Sequence, residues 1–154
     1  MKVIHMKTAA LFLTGLLLAG SAFAAVSYAA TPLEIISARQ ANQKRVGDIA
    51  KSVKTALGGQ ATAASQLEIV KELDQRAHLL KGYFPAGTEA GGDTKALPAI
   101  WSDRAGFDKA ADTYTDAVDK LLALAQAGDT AGFTTQFAAV GDTCGACHRT
   151  YRAR

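Results

Sequence analysis

Apolar residues recur at intervals of three and four along four stretches of the chain, and each stretch predicts one amphipathic helix. The first opens at Thr31-Pro32-Leu33-Glu34. Thr31 can cap it, Pro32 suits the first helical position, and Glu34 can complete a capping box. It should run to Leu57 and stop at Gly58-Gly59, with Leu33, Ile36, Val46, Ile49, Val53 and Leu57 as its apolar face. Arg39, Gln40, Asn42 and Gln43 interrupt that face. Such a gap is either a solvated turn or the seat of a polar ligand. The second helix should run from Ala63 to Lys81, burying Leu67, Val70, Leu73, Ala77 and Leu80. A long loop rich in Gly and Pro follows, from Gly82 to Ala99, and leads to the single tryptophan, Trp101. A loop of that length in a small domain usually has a function or wraps something.

The third helix should span Asp103 to Ala127, with Phe107, Ala110, Ala111, Tyr114, Val118, Leu121, Leu122 and Ala125 inward and Gly128 ending it. Asp129 can cap the fourth, which carries Phe133, Phe137, Val140, Cys144, Cys147, His148 and Tyr151. No strand alternation appears. The expected fold is all-α, an antiparallel four-helix bundle, and the abundance of alanine with only three prolines suits it.

The 154 residues amount to about one domain. Residues 1–24 read as a cleaved signal peptide: Lys2 and Lys7 give a positive start, Ala9 to Gly20 is too short to span a bilayer, and Ala22-Phe23-Ala24 is a small-x-small site. Ser27-Tyr28-Ala29 offers a second such site. Residues 25–154 would then be the exported domain, placed in the periplasm. Without Lys2 and Lys7 the formal net charge falls from +3 to +1. No basic block suggests a nucleic-acid partner.

The chemistry lies in Cys144-Gly145-Ala146-Cys147-His148, six residues from the end of the sequence. Two cysteines separated by two residues and followed directly by histidine form the attachment pattern of a c-type haem. The cysteines would add to the two vinyl groups, and His148 would bind the iron from one face. A thioredoxin-like pair would need a βαβ setting, and a zinc site would need more ligands; His78 is the only other histidine after the leader. Gly141, on the same helix face as Cys144, would let the porphyrin lie close.

Around this motif the chain resembles the class II c-type cytochromes, cytochrome c′ and its low-spin relatives, which carry the haem in the last helix. The resemblance rests on Arg39-Gln40-Ala41, Phe84-Pro85-Ala86-Gly87-Thr88, Ile100-Trp101-Ser102-Asp103 with Phe107, Gly128-Asp129, and Val140-Gly141-Asp142-Thr143. It implies one covalent haem c with iron, a left-handed bundle, and often a homodimer through the first two helices. It implies that Arg39 meets a haem propionate and that Arg152 lies beside the proximal His148. Low-spin relatives place an iron-binding methionine four residues after the Arg39 position, and cytochromes c′ often a bulky apolar residue. This chain has Gln43 there. Its only methionines, Met1 and Met6, lie in the leader, so methionine ligation is excluded once the leader is removed. Lys81 and Phe84 fall near aromatic positions that cover the open iron face in the family. His78, one turn before Lys81, is either a surface residue or a second axial ligand.

Two functions follow. One is an electron carrier that exchanges electrons with redox partner proteins, with His148 and no methionine at the iron. The other is a five-coordinate binder of nitric oxide or carbon monoxide, in which Gln43 hydrogen-bonds the gas. A peroxidase-like enzyme would want a distal acid–base pair, for which only Gln43, Lys81 and His78 are on offer, so no catalytic residue is expected.

Overall fold

The capping box at Thr31 forms as its residues dictate. The Thr31 N–H donates to Glu34 Oε2 (2.7 Å), and the Glu34 N–H donates to Thr31 Oγ1 (3.3 Å). From there helix α1 runs Pro32–Gly58 in the computed structural model, which describes residues 30–154. The leader expected at 1–24, with its cleavage sites, lies outside the described residues. Helix α2 is Leu67–His78, α3 is the single turn Ala99–Ser102, α4 is Arg104–Ala127 and α5 is Thr130–Tyr151. Asp103 caps α4 by accepting from the Gly106 N–H (3.1 Å), and Asp129 caps α5 by accepting from the Gly132 N–H (2.9 Å). Between α4 and α5, Gly128 takes a left-handed φ of 70°, which a residue with a Cβ would adopt only under strain. No described helix is long and apolar enough to cross a membrane.

The second helix is shorter than its apolar spacing predicts. A 3₁₀ turn at Ala64–Gln66 precedes it, and another at Leu80–Tyr83 follows. The ladder tightens there: the Gly82 N–H bonds to Leu79 O (3.1 Å), and the Phe84 N–H to Lys81 O (3.3 Å). This turns Phe84 inward instead of letting it continue the helix, and Pro85 prevents a restart. Leu79 is left 54% exposed. The end of the expected loop is also more ordered than its Gly and Pro content suggests, because Pro98 starts the one-turn α3.

Two apolar clusters fill the bundle. The larger joins Ile49 and Val53 of α1, Val70 and Leu73 of α2, Tyr114, Val118, Leu121 and Ala125 of α4, and Phe133 and Val140 of α5. Each such fully buried large side chain contributes about 1.5–3 kcal/mol relative to exposure. The smaller is aromatic: Phe84, Ile100, Phe107 and Tyr151, with Trp101 against its edge. Leu33 belongs to neither. At 61% exposed it drops out of the predicted apolar face, because it sits in the first turn of α1, beyond the core.

The long helices form a bundle with one loose seam. Helix α4 packs closely on both α2 and α5, while α1 packs on α2 and on the Leu80–Tyr83 turn. Helices α1 and α5 do not pack closely on each other. The chain's end is clasped to the long loop instead. Ala96 and Arg152 form an isolated antiparallel bridge, and the Leu97 N–H donates to Tyr151 O (3.0 Å).

Candidate functional site

Every sequence-predicted site residue lies on α1, on α5 and the residue after it, or on the loop after Tyr83. On α5, Cys144 and Cys147 lie one turn apart and point to different clusters: Cys144 packs against the aliphatic core, Cys147 against the aromatic one. Both are free and partly buried. Burial pushes both thiols up, which is the opposite of what a reactive redox thiol pair needs. Beside Cys144, the Tyr114 hydroxyl is buried without a hydrogen-bond partner, and burial raises its pKa. An orphaned buried hydroxyl is costly, so its position marks a place where a polar partner is missing.

His148 follows Cys147 on α5 and is exposed. Partial burial holds its pKa below the ordinary value, and the neighbouring Arg152 adds to this. Both effects favour the neutral imidazole, the form that binds a metal. At about 100° per residue, Gly141, Cys144 and His148 share one side of α5, while Thr143, Cys147 and Thr150 turn towards α4. A Cβ built at Gly141 would meet nothing within 4 Å, so the helix surface is open at that point. The open groove on the other side, between α4 and α5, is lined by Gly106, Ala110, Thr113, Thr143, Cys147 and Thr150 among others, and includes neither His148 nor any residue of α1. The open flank of α5 beside His148 is the better seat for a cofactor.

The polar interruption of α1 is in part a buried hydrogen-bonding centre. Arg39 and Asn42 are both buried. Arg39 Nη1 donates to Tyr83 O (3.3 Å) and Thr88 Oγ1 (3.3 Å), and Nη2 donates to Thr88 O (3.1 Å) and Thr94 Oγ1 (2.8 Å). Its guanidinium lies 4.7 Å from the centroid of the Phe84 ring. Burial lowers its pKa, and no carboxylate pairs with it directly among the described residues. Arg39 thus anchors the 83–94 loop, and only Nε–H is left for a propionate. Asn42 accepts from Arg76 Nη1 (3.1 Å) and so ties α1 to α2.

Phe84, expected over the iron, is 7% exposed in the aromatic cluster, edge-on to Phe107 with centroids 4.9 Å apart. Gln43 lies one turn beyond Arg39, half-buried and with no side-chain hydrogen bond among the described residues. Arg45 and Asn42 bond to α2, and helical spacing places Gln43 on the side of α1 away from them. Lys81 and His78 are engaged elsewhere: Lys81 Nζ with Asp112 (2.5 Å), and His78 Nε2 with Asp119 (3.0 Å), both on α4. Arg152 is exposed just past α5, beside His148.

Nothing in the residue pattern points directly to Thr88 and Thr94 completing the shell of Arg39, to Tyr151 donating to Asp103 (2.9 Å), or to the orphaned Tyr114 hydroxyl. An arginine inside an apolar stripe was the one available signal, since a buried guanidinium must find acceptors. The residues present fit a haem c: two partly buried thiols and an imidazole that favours its neutral form on one helix, an open flank, and an orphaned hydroxyl beside the first cysteine.

The comparisons with known proteins agree. The family model described as Cytochrome C′ matches residues 34–152. A cytochrome c′ of Rhodopseudomonas palustris is 33% identical over 150 residues, covering 92% of this chain and 94% of its own. Two solved variants of cytochrome c prime from Alcaligenes xylosoxidans, one a nitric oxide complex and one with carbon monoxide bound, each superpose with a TM-score of 0.75 at 32% identity and cover 82% of this chain. They span 99% and 100% of their own lengths, respectively. With the family model matching most of its length and a relative 33% identical over 92% of it, the chain belongs to the cytochrome c′ family, the class II c-type cytochromes, whose cofactor is a covalently attached haem c with iron.

Proposed function

We propose that Cys144 and Cys147 hold the haem, that His148 is its proximal iron ligand, and that this exported, periplasmic protein binds a diatomic gas at the opposite iron face. The observation that carries the reading is the lack of a strong sixth ligand among residues 30–154. They contain no methionine, and the two other basic candidates, His78 and Lys81, are tied to carboxylates of α4. When bound, the haem supplies an iron that changes between ferric and ferrous and can take a small ligand. Around it, each side chain has a limited task. Burial and Arg152 favour the neutral form of His148. The unpartnered Gln43 amide can donate a hydrogen bond to a molecule in the space between α1 and α5. Arg39 holds the 83–94 loop in place. The Tyr114 hydroxyl waits for a partner beside Cys144. Nitric oxide and carbon monoxide complexes of the Alcaligenes xylosoxidans protein support the same chemistry here.

Single-electron exchange with redox partner proteins is the second reading. It is favoured by the packing of Cys147 against the aromatic cluster next to the α4–α5 groove, which brings the cofactor's attachment close to the surface. In both readings the protein binds or carries, and is not an enzyme. The deciding measurement is the visible spectrum of the reduced protein before and after carbon monoxide. A high-spin ferrous spectrum that shifts with the gas is the expected result. A low-spin spectrum indifferent to carbon monoxide would sink the gas-binding reading and leave the electron carrier.

A further inference from the structure

We infer that Asp74, His78 and Asp119 form a binding site for one divalent transition-metal ion of the zinc class, on the seam between α2 and α4. Asp74 and His78 lie four apart on α2 and so share a face. Asp119 comes from α4, which packs against that face. His78 Nε2 stands 3.0 Å from Asp119 Oδ1 and 3.8 Å from Asp74 Oδ1. One donor atom from each of the three lies within 4.8 Å of the other two.

A tetrahedral zinc ion with bonds of about 2.0–2.2 Å needs its donors about 3.3–3.6 Å apart. The three groups are close to that already. The His78 and Asp119 side chains, 56% and 46% exposed, can rotate to complete it, while the less exposed Asp74, at 21%, is the fixed member. One imidazole nitrogen with two carboxylate oxygens suits zinc, nickel, cobalt or copper better than calcium or magnesium, which take oxygen ligands. The fourth position would stay open to water.

What sets this cluster apart is that two acids without a lysine or arginine converge on one histidine. Most acids on the same helices have a lysine or arginine partner: Glu68 has Lys71, Glu72 has Arg45 and Arg76, Asp108 has Arg104, and Asp112 has Lys81, while Asp116 has none among the described residues. Among the described residues, Asp74 and Asp119 have no lysine or arginine within 4.0 Å, and their only counter-group is His78. Burial and the facing Asp119 carboxyl push the Asp74 carboxyl up, as expected of two acids held close together, and a divalent cation between them would offset that repulsion. The site is independent of the haem, because the α2–α4 seam lies across the bundle from the loose seam between α1 and α5. An ion there would clamp α2 to α4.

The test is calorimetric titration of zinc chloride into the chelator-treated, haem-loaded protein, alongside His78→Gln and Asp119→Asn. Wild type should take up one equivalent, and each variant should bind at least about tenfold more weakly. Zinc should also raise the thermal midpoint of wild type and of neither variant. An unchanged visible spectrum would show that the variants keep their haem and fold. No stoichiometric uptake by wild type, or uptake retained in both variants, would overturn the site.

Discussion

Ile49, Val53, Val70, Leu73, Val118, Leu121 and Phe133 fill one length of the bundle with aliphatic and aromatic groups from four helices. Phe84, Ile100, Phe107 and Tyr151 fill the other with side chains from a loop, a single helical turn and two helix ends. The first cluster needs no polar help, since regular helices present its members in register. The second is assembled around a buried cation: Arg39 stacks on Phe84 and collects four acceptors from Tyr83, Thr88 and Thr94. The Tyr151–Asp103 hydrogen bond and the bridge between Ala96 and Arg152 close it from the other side. One end is thus stabilised by periodic burial and the other by specific contacts that fix a loop. The cysteine motif straddles them, with Cys144 on the aliphatic cluster and Cys147 on the aromatic one.

The largest effect tests that boundary directly. Replacing both cysteines, Cys144→Ala with Cys147→Ala, should abolish covalent haem completely. The readout is haem staining or intact mass of the denatured protein. Covalent haem that survives the double substitution would remove the motif from the site and leave the junction of the two clusters without a role.

The same contrast explains what was legible in the sequence. Helical spacing gave both ends of α1 and α4, and the start of α5, within a residue or two, because those helices bury one continuous stripe against others. It overextended the second helix, since Leu80 continues the spacing while the backbone turns to 3₁₀ and sends Phe84 inward. It missed α3, because one turn started by Pro98 has no period to detect. It also counted Leu33 as buried, because period alone does not say where the core stops. For the site, the spacing of Cys144, Cys147 and His148 was readable, as three residues on one turn need no tertiary knowledge. The surroundings were less so. Arg39 stood out only as a break in a stripe, and its acceptors lie 44 to 55 residues away in a loop without periodicity. His78 and Lys81 were candidates for the iron until α4 brought Asp119 and Asp112 against them.

The next effect bears on the aliphatic end. Phe133 is fully buried in the larger cluster, so Phe133→Ala should cost about 3–5 kcal/mol in denaturant unfolding of the haem-loaded protein. Its effect should be global, because no loop depends on that ring alone. A loss below about 1 kcal/mol would mean that the cluster repacks around the hole, and that the aliphatic end is softer than its burial implies.

The smallest effect sharpens the difference most. Arg39→Ala removes a buried guanidinium and leaves the carbonyls of Tyr83 and Thr88 short of a donor. Hydrogen bonds to a charged group count for more than neutral ones, but the lost cation also escapes its desolvation, so the net cost should be about 2–3 kcal/mol. Arg39→Lys should not restore it, because an ammonium cannot reproduce a planar fork that reaches acceptors on Tyr83, Thr88 and Thr94 together. Hydrogen exchange separates this variant from Phe133→Ala. Amides of residues 83–94 should lose protection well before the helices do, whereas Phe133→Ala should lower both together. The two residues share no partner among the described contacts, so the double variant should be additive within about 0.5 kcal/mol. Strong non-additivity would mean that the clusters respond as one body, and that the motif lies within a single core rather than at the junction of two.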